Sequence, residues 1–165
     1  MVEKIEWAII IGVVMLIWLG WNYIHAYDNT YDTIKTEASK NYSVVDKIAV
    51  NITVACRKWN GTSCFVLETN KWIGQHIRQK PDGVLENMFN LGNDMKNTYV
   101  NGNDCEGVAT IGAGILKELN VTDVYVIMEK VGSDTHVFLG TMTGNDSMYF
   151  TNHVAGEIVW QKKLW

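Results

Sequence analysis

The sequence predicts an α+β protein, with helices through the first two thirds and strands in the last third, behind an apolar N-terminal span. Three observations carry this. Trp7 to Ile24 is an uncharged run of eighteen residues. Cys105, Val108, Ile111, Gly112, Ile115, Leu116 and Leu119 recur at three- and four-residue steps, the apolar stripe of one buried helical face. After Val121 the period changes to two, in segments rich in β-branched and aromatic residues. Runs of helix followed by runs of strand describe the α+β class.

The apolar run comes first. As a helix it reaches about 27 Å at 1.5 Å per residue, near the hydrocarbon thickness of a bilayer. Trp7, Trp18, Trp21 and Tyr23 sit toward its ends, where amphipathic rings prefer the interface. The run is long for a cleaved signal peptide, and the bulky Trp21-Asn22-Tyr23 stands where a small-x-small cleavage site would be. Residues 1–26 are therefore expected to be a retained transmembrane anchor, in contact with the lipid bilayer through residues 7–24.

The positive-inside count is a near tie, with Lys4 and the amino terminus on one side and Lys35 and Lys40 on the other. Two other features point outside the cell. Five Asn-x-Ser/Thr sequons, at Asn41, Asn51, Asn60, Asn120 and Asn145, all follow the span and are candidate N-glycan sites. Cys56 and Cys64 bracket a short loop and either close it as a disulfide, leaving Cys105 as the odd thiol, or stand as independent buried thiols. The expected location is the cell membrane, single-pass, with the C-terminal domain in an oxidising exterior.

Residues 27–43 are polar, with Tyr27, Tyr31, Ile34, Ala38 and Tyr42 at helical spacing, and are expected to form a helical stalk or linker. The domain proper is expected over residues 44–165. Val44 to Trp59 fits a helix through Val44, Ile48, Ile52 and Ala55, or a strand through Ile48, Val50, Ile52, Val54 and Cys56; the helix is preferred. Asn60-Gly61 signals a turn. Phe65 to Arg78 reads as a helix stopped by Pro81-Asp82-Gly83, and Val84 to Tyr99 as another. Strands follow from Val121 to Lys130, Thr135 to Met142 and Ser147 to Val154.

Net charge is −4 and the basic clusters, Arg57-Lys58 and Lys162-Lys163, are short, so nucleic-acid binding has no footprint here. The candidate chemistry centres on Cys105, at the start of its helix with Asp104 or Asn103 as cap and Asn120 as stop. A thiol in a first helical turn sits near unpaired N–H groups and the positive end of the dipole, and both favour the nucleophilic thiolate. If the last hairpin closes through Thr143, Gly144 and Asn145, paired residue numbers sum to 288. His136 then lies across from Asn152; a slip of one residue pairs it with His153 instead. Cys105 as nucleophile, His136 as base and acid, and Asn152 as the residue that orients it make a workable division of labour. His25, His76 and His153 lack zinc-ligand spacing, so no metal or other cofactor is expected.

In this order of features the chain resembles the transglutaminase-like superfamily of papain-type cysteine enzymes, in particular its membrane-anchored archaeal members. The likeness rests on Asn103-Asp104-Cys105-Glu106 opening a helix closed by Ile115-Leu116-Lys117-Glu118-Leu119. It continues through Val124-Tyr125-Val126-Ile127 and Asp134-Thr135-His136-Val137-Phe138-Leu139-Gly140, and covers about Lys71 to Trp160. The resemblance implies helices, the nucleophile's included, packed on a small antiparallel sheet. It implies hydrolysis or acyl transfer at amide bonds of a protein or cell-wall peptide through a Cys105 thioester, without a cofactor. Asn103 and Thr135 stand where the family has glycine. Asp146 is the alternative to Asn152, and Gln75 and Trp72 are the upstream candidates for an oxyanion donor. The alternative function is a non-catalytic surface binding or assembly protein on the same fold.

Overall fold

A computed structural model describes residues 2–59, 61–80, 95–143, 146–149 and 153–165. Among the described residues the helices are α1 (Val2–Ala38), α2 (Ser43–Ala55), α3 (Thr62–His76), α4 (Met95–Asn101) and α5 (Cys105–Glu118). The strands are β1 (Val124–Val131), β2 (Asp134–Thr143), β3 (Asp146–Tyr149) and β4 (Glu157–Lys163). They form one antiparallel sheet in the order β3-β2-β1-β4. The predicted α+β class and the helical packing on a small antiparallel sheet are both present.

α5 is the hub. Ten consecutive residues, Gly107 to Leu116, are buried, because α1 lies against one side of this helix, α2, α3 and α4 against others, and β2 beneath it. Val108, Ile111 and Ile115 share a core with Val124, Val126 and Met128 of β1 and Val137 and Leu139 of β2. Those strand positions are alternate residues, and Met128 pairs with Val137 and Val126 with Leu139, so one face of the sheet supplies them all. Asn120 stops the helix as expected, in the left-handed region at φ 53°.

α1 is bare from Trp7 to Trp21. Trp7, Leu16, Trp21 and Ile24 are 66, 70, 65 and 72% exposed. No single helix among the described residues is long and apolar enough to cross a membrane. Trp7–Trp21 and Ile24–Ala38 together meet that length and composition, with a 55° bend between them.

The second half of α1 corrects the expected stalk. Tyr31, Ile34 and Ala38 recur at three- and four-residue steps and are buried in the domain core. The Tyr31 hydroxyl donates to the Lys163 carbonyl at 2.8 Å, and its ring meets Trp160 edge-on at 5.7 Å between centroids. Lys162 reaches Asp28 at 3.3 Å. The domain therefore begins inside residues 27–43, and its first core helix is continuous with the apolar span.

α2 resolves the ambiguous segment as helix: Val45, Ile48, Ala49 and Ile52 are buried, whereas Val50 and Val54, which a strand would have buried with Ile48 and Ile52, are exposed. A short 3-10 turn (Cys56–Lys58) leads on toward α3, and Cys56 is disulfide-bonded to Cys64 across a separation of eight residues. Closing so short a loop stabilises by about 2–3 kcal/mol in the chain-entropy account. Replacing both cysteines by serine is expected to lower Tm by about 5–10 °C in a thermal scan without reductant.

The last hairpin differs from the expected register. Gly140 pairs with Tyr149 and Thr143 with Asp146, so paired numbers sum to 289 and the loop is residues 144–145, not a three-residue loop beginning at Thr143. The sequence reading also stopped short of β4, which pairs with β1 through a bulge at Met128/Glu129 and adds the far edge. Asp123 and Lys163 tie that edge to the turn before β1. The hydrogen bond and charge of Lys163 hold the Asp123 carboxyl below its usual range.

Since β3 and β4 are opposite edges, the chain before β4, residues 153–156, crosses over β2 and β1. It does so on the face turned away from α5. Val154 N–H donates to Glu129 Oε1 at 2.9 Å and Gly156 N–H to Glu129 Oε2 at 3.2 Å, while the His153 ring packs on Phe138 at 4.8 Å.

Candidate functional site

The site is built at the mouth of α5. Asp104 is the cap: its backbone is extended and its Oδ1 accepts from Gly107 N–H at 2.9 Å, satisfying one of the unpaired donors of the first turn. Cys105 is the first helical residue, half-buried against the core and outside the disulfide. Asn103 is 4% exposed. Its Nδ2 donates to Thr98 Oγ1 at 3.2 Å and its Oδ1 accepts from Asp104 N–H at 2.9 Å. A glycine could make neither bond, so the asparagine side chain braces the turn that presents the thiol.

Two glycines allow this brace. A Cβ on Gly107 would lie 2.5 Å from Asn103 Cβ and Nδ2. Gly102 has φ +73°, and a Cβ there would lie 2.1 Å from the Arg78 carbonyl oxygen. That close approach exists because the segment after α3 is laced to the mouth. Asn103 N–H donates to Arg78 O at 3.1 Å and Lys80 N–H to Asn103 O at 3.0 Å, flanking a parallel bridge between Gln79 and Asn103. On α3 itself Gln75 is exposed, and Trp72 stacks on His76 at 4.7 Å and on Tyr99 at 6.2 Å.

α1 reaches the same mouth. Thr30 Oγ1 donates to Glu106 Oε1 at 3.1 Å, and Thr30 is 8% exposed. The residue next to the thiol is thereby bonded to the helix that carries the apolar run.

His136 lies in β2, paired with Glu129 of β1. The pleat sends His136 to the face of Glu129 and Phe138, while Val137 and Leu139 face α5. His136 thus stands on the face of β2 opposite the one that packs on α5, the helix of Cys105.

The third residue fares differently in its two versions. The placement of Asn152 across from His136 needed the 288 register, and the observed pairs are one residue out; Asn152 itself lies outside the described residues. Asp146 pairs with Thr143, seven residues along β2 from His136, or about 23 Å at the rise of a strand, too far to orient that imidazole.

Sequence reasoning missed Glu129. Its side chain is fully buried, accepts both N–H groups of the crossing segment, and lies 3.6 Å from His153 Nε2. The signal was present: one carboxylate after five apolar or aromatic residues, Val124 to Met128, in a strand with β-branched character. Among the described residues no group of three or more His, Cys, Asp or Glu is arranged to hold a metal ion. The sequons at Asn41, Asn51 and Asn120 are exposed, and Asn60 and Asn145 lie outside the described residues. No protein-family model, curated protein or solved structure matches this chain.

Proposed function

We propose that this chain is a membrane-tethered thiol enzyme of transglutaminase-like type, working outside the cell on amide bonds of a protein or cell-wall peptide. The observation that carries the reading is the mouth of α5. Of three cysteines, two are spent in a disulfide and the third is the first residue of the most buried helix, braced by Asn103 and capped by Asp104. A purely packing cysteine needs no such frame.

The step that follows is acyl transfer. The Cys105 thiolate attacks the amide carbon, and the oxyanion is met by N–H groups of the first turn. The C–N bond breaks as His136, protonated, gives its proton to the departing amine. Water or a second amine then opens the thioester and restores the thiol. For this the His136 imidazole has to turn past the start of β2 toward Cys105. Asn152 is the residue to orient it. The apolar half of α1 is the bilayer anchor, and Asn41, Asn51 and Asn120 take N-glycans on the outer side.

The test is alkylation with iodoacetamide across pH, without reductant and with mass mapping. The reading expects Cys105 to be modified at pH 6–7 at least about tenfold faster than an unperturbed thiol, as a depressed thiol pKa requires, with Cys56 and Cys64 protected. His136→Ala should push that profile to higher pH. A Cys105 that reacts like a thiol in an unfolded peptide, with a profile indifferent to His136, would remove the enzyme from consideration.

One observation favours a second reading, a non-catalytic surface binding or assembly module. His136 shares its face with Glu129 and Phe138 rather than with α5. Under that reading Cys105→Ser changes neither partner capture nor any acyl-transfer activity.

A further inference from the structure

We infer that the Cys105 mouth is held at the bilayer surface, so that its substrate is the polar juxtamembrane stretch of a polypeptide anchored in the same membrane. This deepens the thiol-enzyme reading and rests on it and on the bilayer anchor.

The carrying observation is the absence of any spacer between span and site. The exposed apolar run ends at Ile24, and Thr30, six residues later, is already buried and bonded to Glu106, the neighbour of Cys105. Six helical residues rise about 9 Å. The 55° bend between Trp21 and Ile24 tilts this stretch off the axis of the preceding one and shortens that height further. Tyr31 on Lys163 and Trp160, with Ile34 and Ala38 in the core, bolts α1 to the domain, so the mouth cannot swing away on a tether.

The chemistry of the adjoining groove narrows the occupant. It runs along α1 at Asn29, Asp32, Thr33, Thr36 and Glu37, beginning beside Thr30. These side chains offer hydrogen-bonding groups to a hydrated extended backbone with its N–H and C=O groups. A polypeptide leaving the bilayer presents its first polar residues at this height. A soluble substrate would have to approach a mouth crowded by headgroups.

The test reads height with two thiol reagents. The full chain is placed in phosphatidylcholine vesicles containing a few per cent of phosphatidylethanolamine whose headgroup carries a maleimide, or in plain vesicles with a soluble maleimide. A second protein carries eleven helix-forming residues inserted between Ile24 and His25, which lengthens the helix by about 16 Å, about 9 Å of it height after the 55° bend, while nearly preserving helical phase. Lipid-tethered labelling of Cys105 is expected in the natural chain and is expected to fall at least tenfold in the lifted one, with soluble labelling unchanged. Equal lipid-tethered labelling of the two, or none of the natural chain beside normal soluble labelling, overturns the inference. If Cys105 resists the soluble reagent, the nucleophile reading itself fails. Height is then read with the same reagents in Cys105→Ser, Asn29→Cys, where the same loss on lifting is expected and equal labelling again overturns the inference.

Discussion

Replacing Tyr31 and Ile34 together by alanine is expected to remove most or all of the stability of the domain. Each is at most 3% exposed, in a helix that also carries the apolar span. Truncating a buried isoleucine costs about 2–5 kcal/mol and a buried large aromatic about 3–5. The Tyr31 hydroxyl adds a hydrogen bond to Lys163 worth about 1 kcal/mol. The sum, about 6–11 kcal/mol, is comparable to the whole stability of an ordinary domain. Tyr27→Ala, at a position that is 37% exposed, is the control and should change stability by less than about 1 kcal/mol. Near-ultraviolet circular dichroism of the full chain in detergent micelles, followed through thermal unfolding, reads both. A double variant as stable as the parent would return residues 27–43 to the role of a linker, and would also loosen the geometry on which the membrane-surface inference depends.

The next largest effect is expected at Glu129. Alanine there takes the acceptor from the N–H groups of Val154 and Gly156 and opens a hole in a fully buried position. A hydrogen bond to a carboxylate contributes about 1.5–3 kcal/mol, so losing the two is expected to cost about 3–6 kcal/mol. Glutamine should be intermediate, because it keeps the volume and one acceptor oxygen but turns an NH2 toward a donor. His153→Ala should cost less than about 1 kcal/mol, since its side chain is 34% exposed and its contact with Glu129 is long at 3.6 Å. The distinguishing readout is limited proteolysis: Glu129→Ala should be cut within residues 153–156 well below its Tm, as the crossing segment lifts before the sheet melts. Cleavage there unchanged from the parent would mean that the segment is held by something other than this carboxylate.

Both expectations concern features that residue patterns concealed in different ways. The stripe of Tyr31, Ile34 and Ala38 was visible, but a stripe declares only that something covers it, not whether the cover is this domain or a partner. α5 and β4 decided that by arriving beside it. Glu129 was visible as an odd carboxylate in an apolar strand, yet its partners, 25 and 27 residues away, become neighbours only because β3 and β4 occupy opposite edges and the chain must cross between them.

Local chemistry, by contrast, could be read straight from the chain. The α5 helix, the Asn120 stop and the two main strands follow from contacts within about ten residues, where spacing and propensity speak directly, whereas Asp104 rather than Asn103 as cap and the Cys56–Cys64 bond rather than two free thiols were choices the fold made. Register and face did not follow. A shift of one residue in the last hairpin replaces Asn152 by its neighbour and reverses the side of the sheet on which each group stands, and the loop residues themselves suit more than one closure. The seat of Cys105 was thus a property of the linear chain. The company it keeps was settled by how the sheet pairs and what packs on each of its faces, because a strand's side chains alternate while its sequence does not say which side the helices will choose.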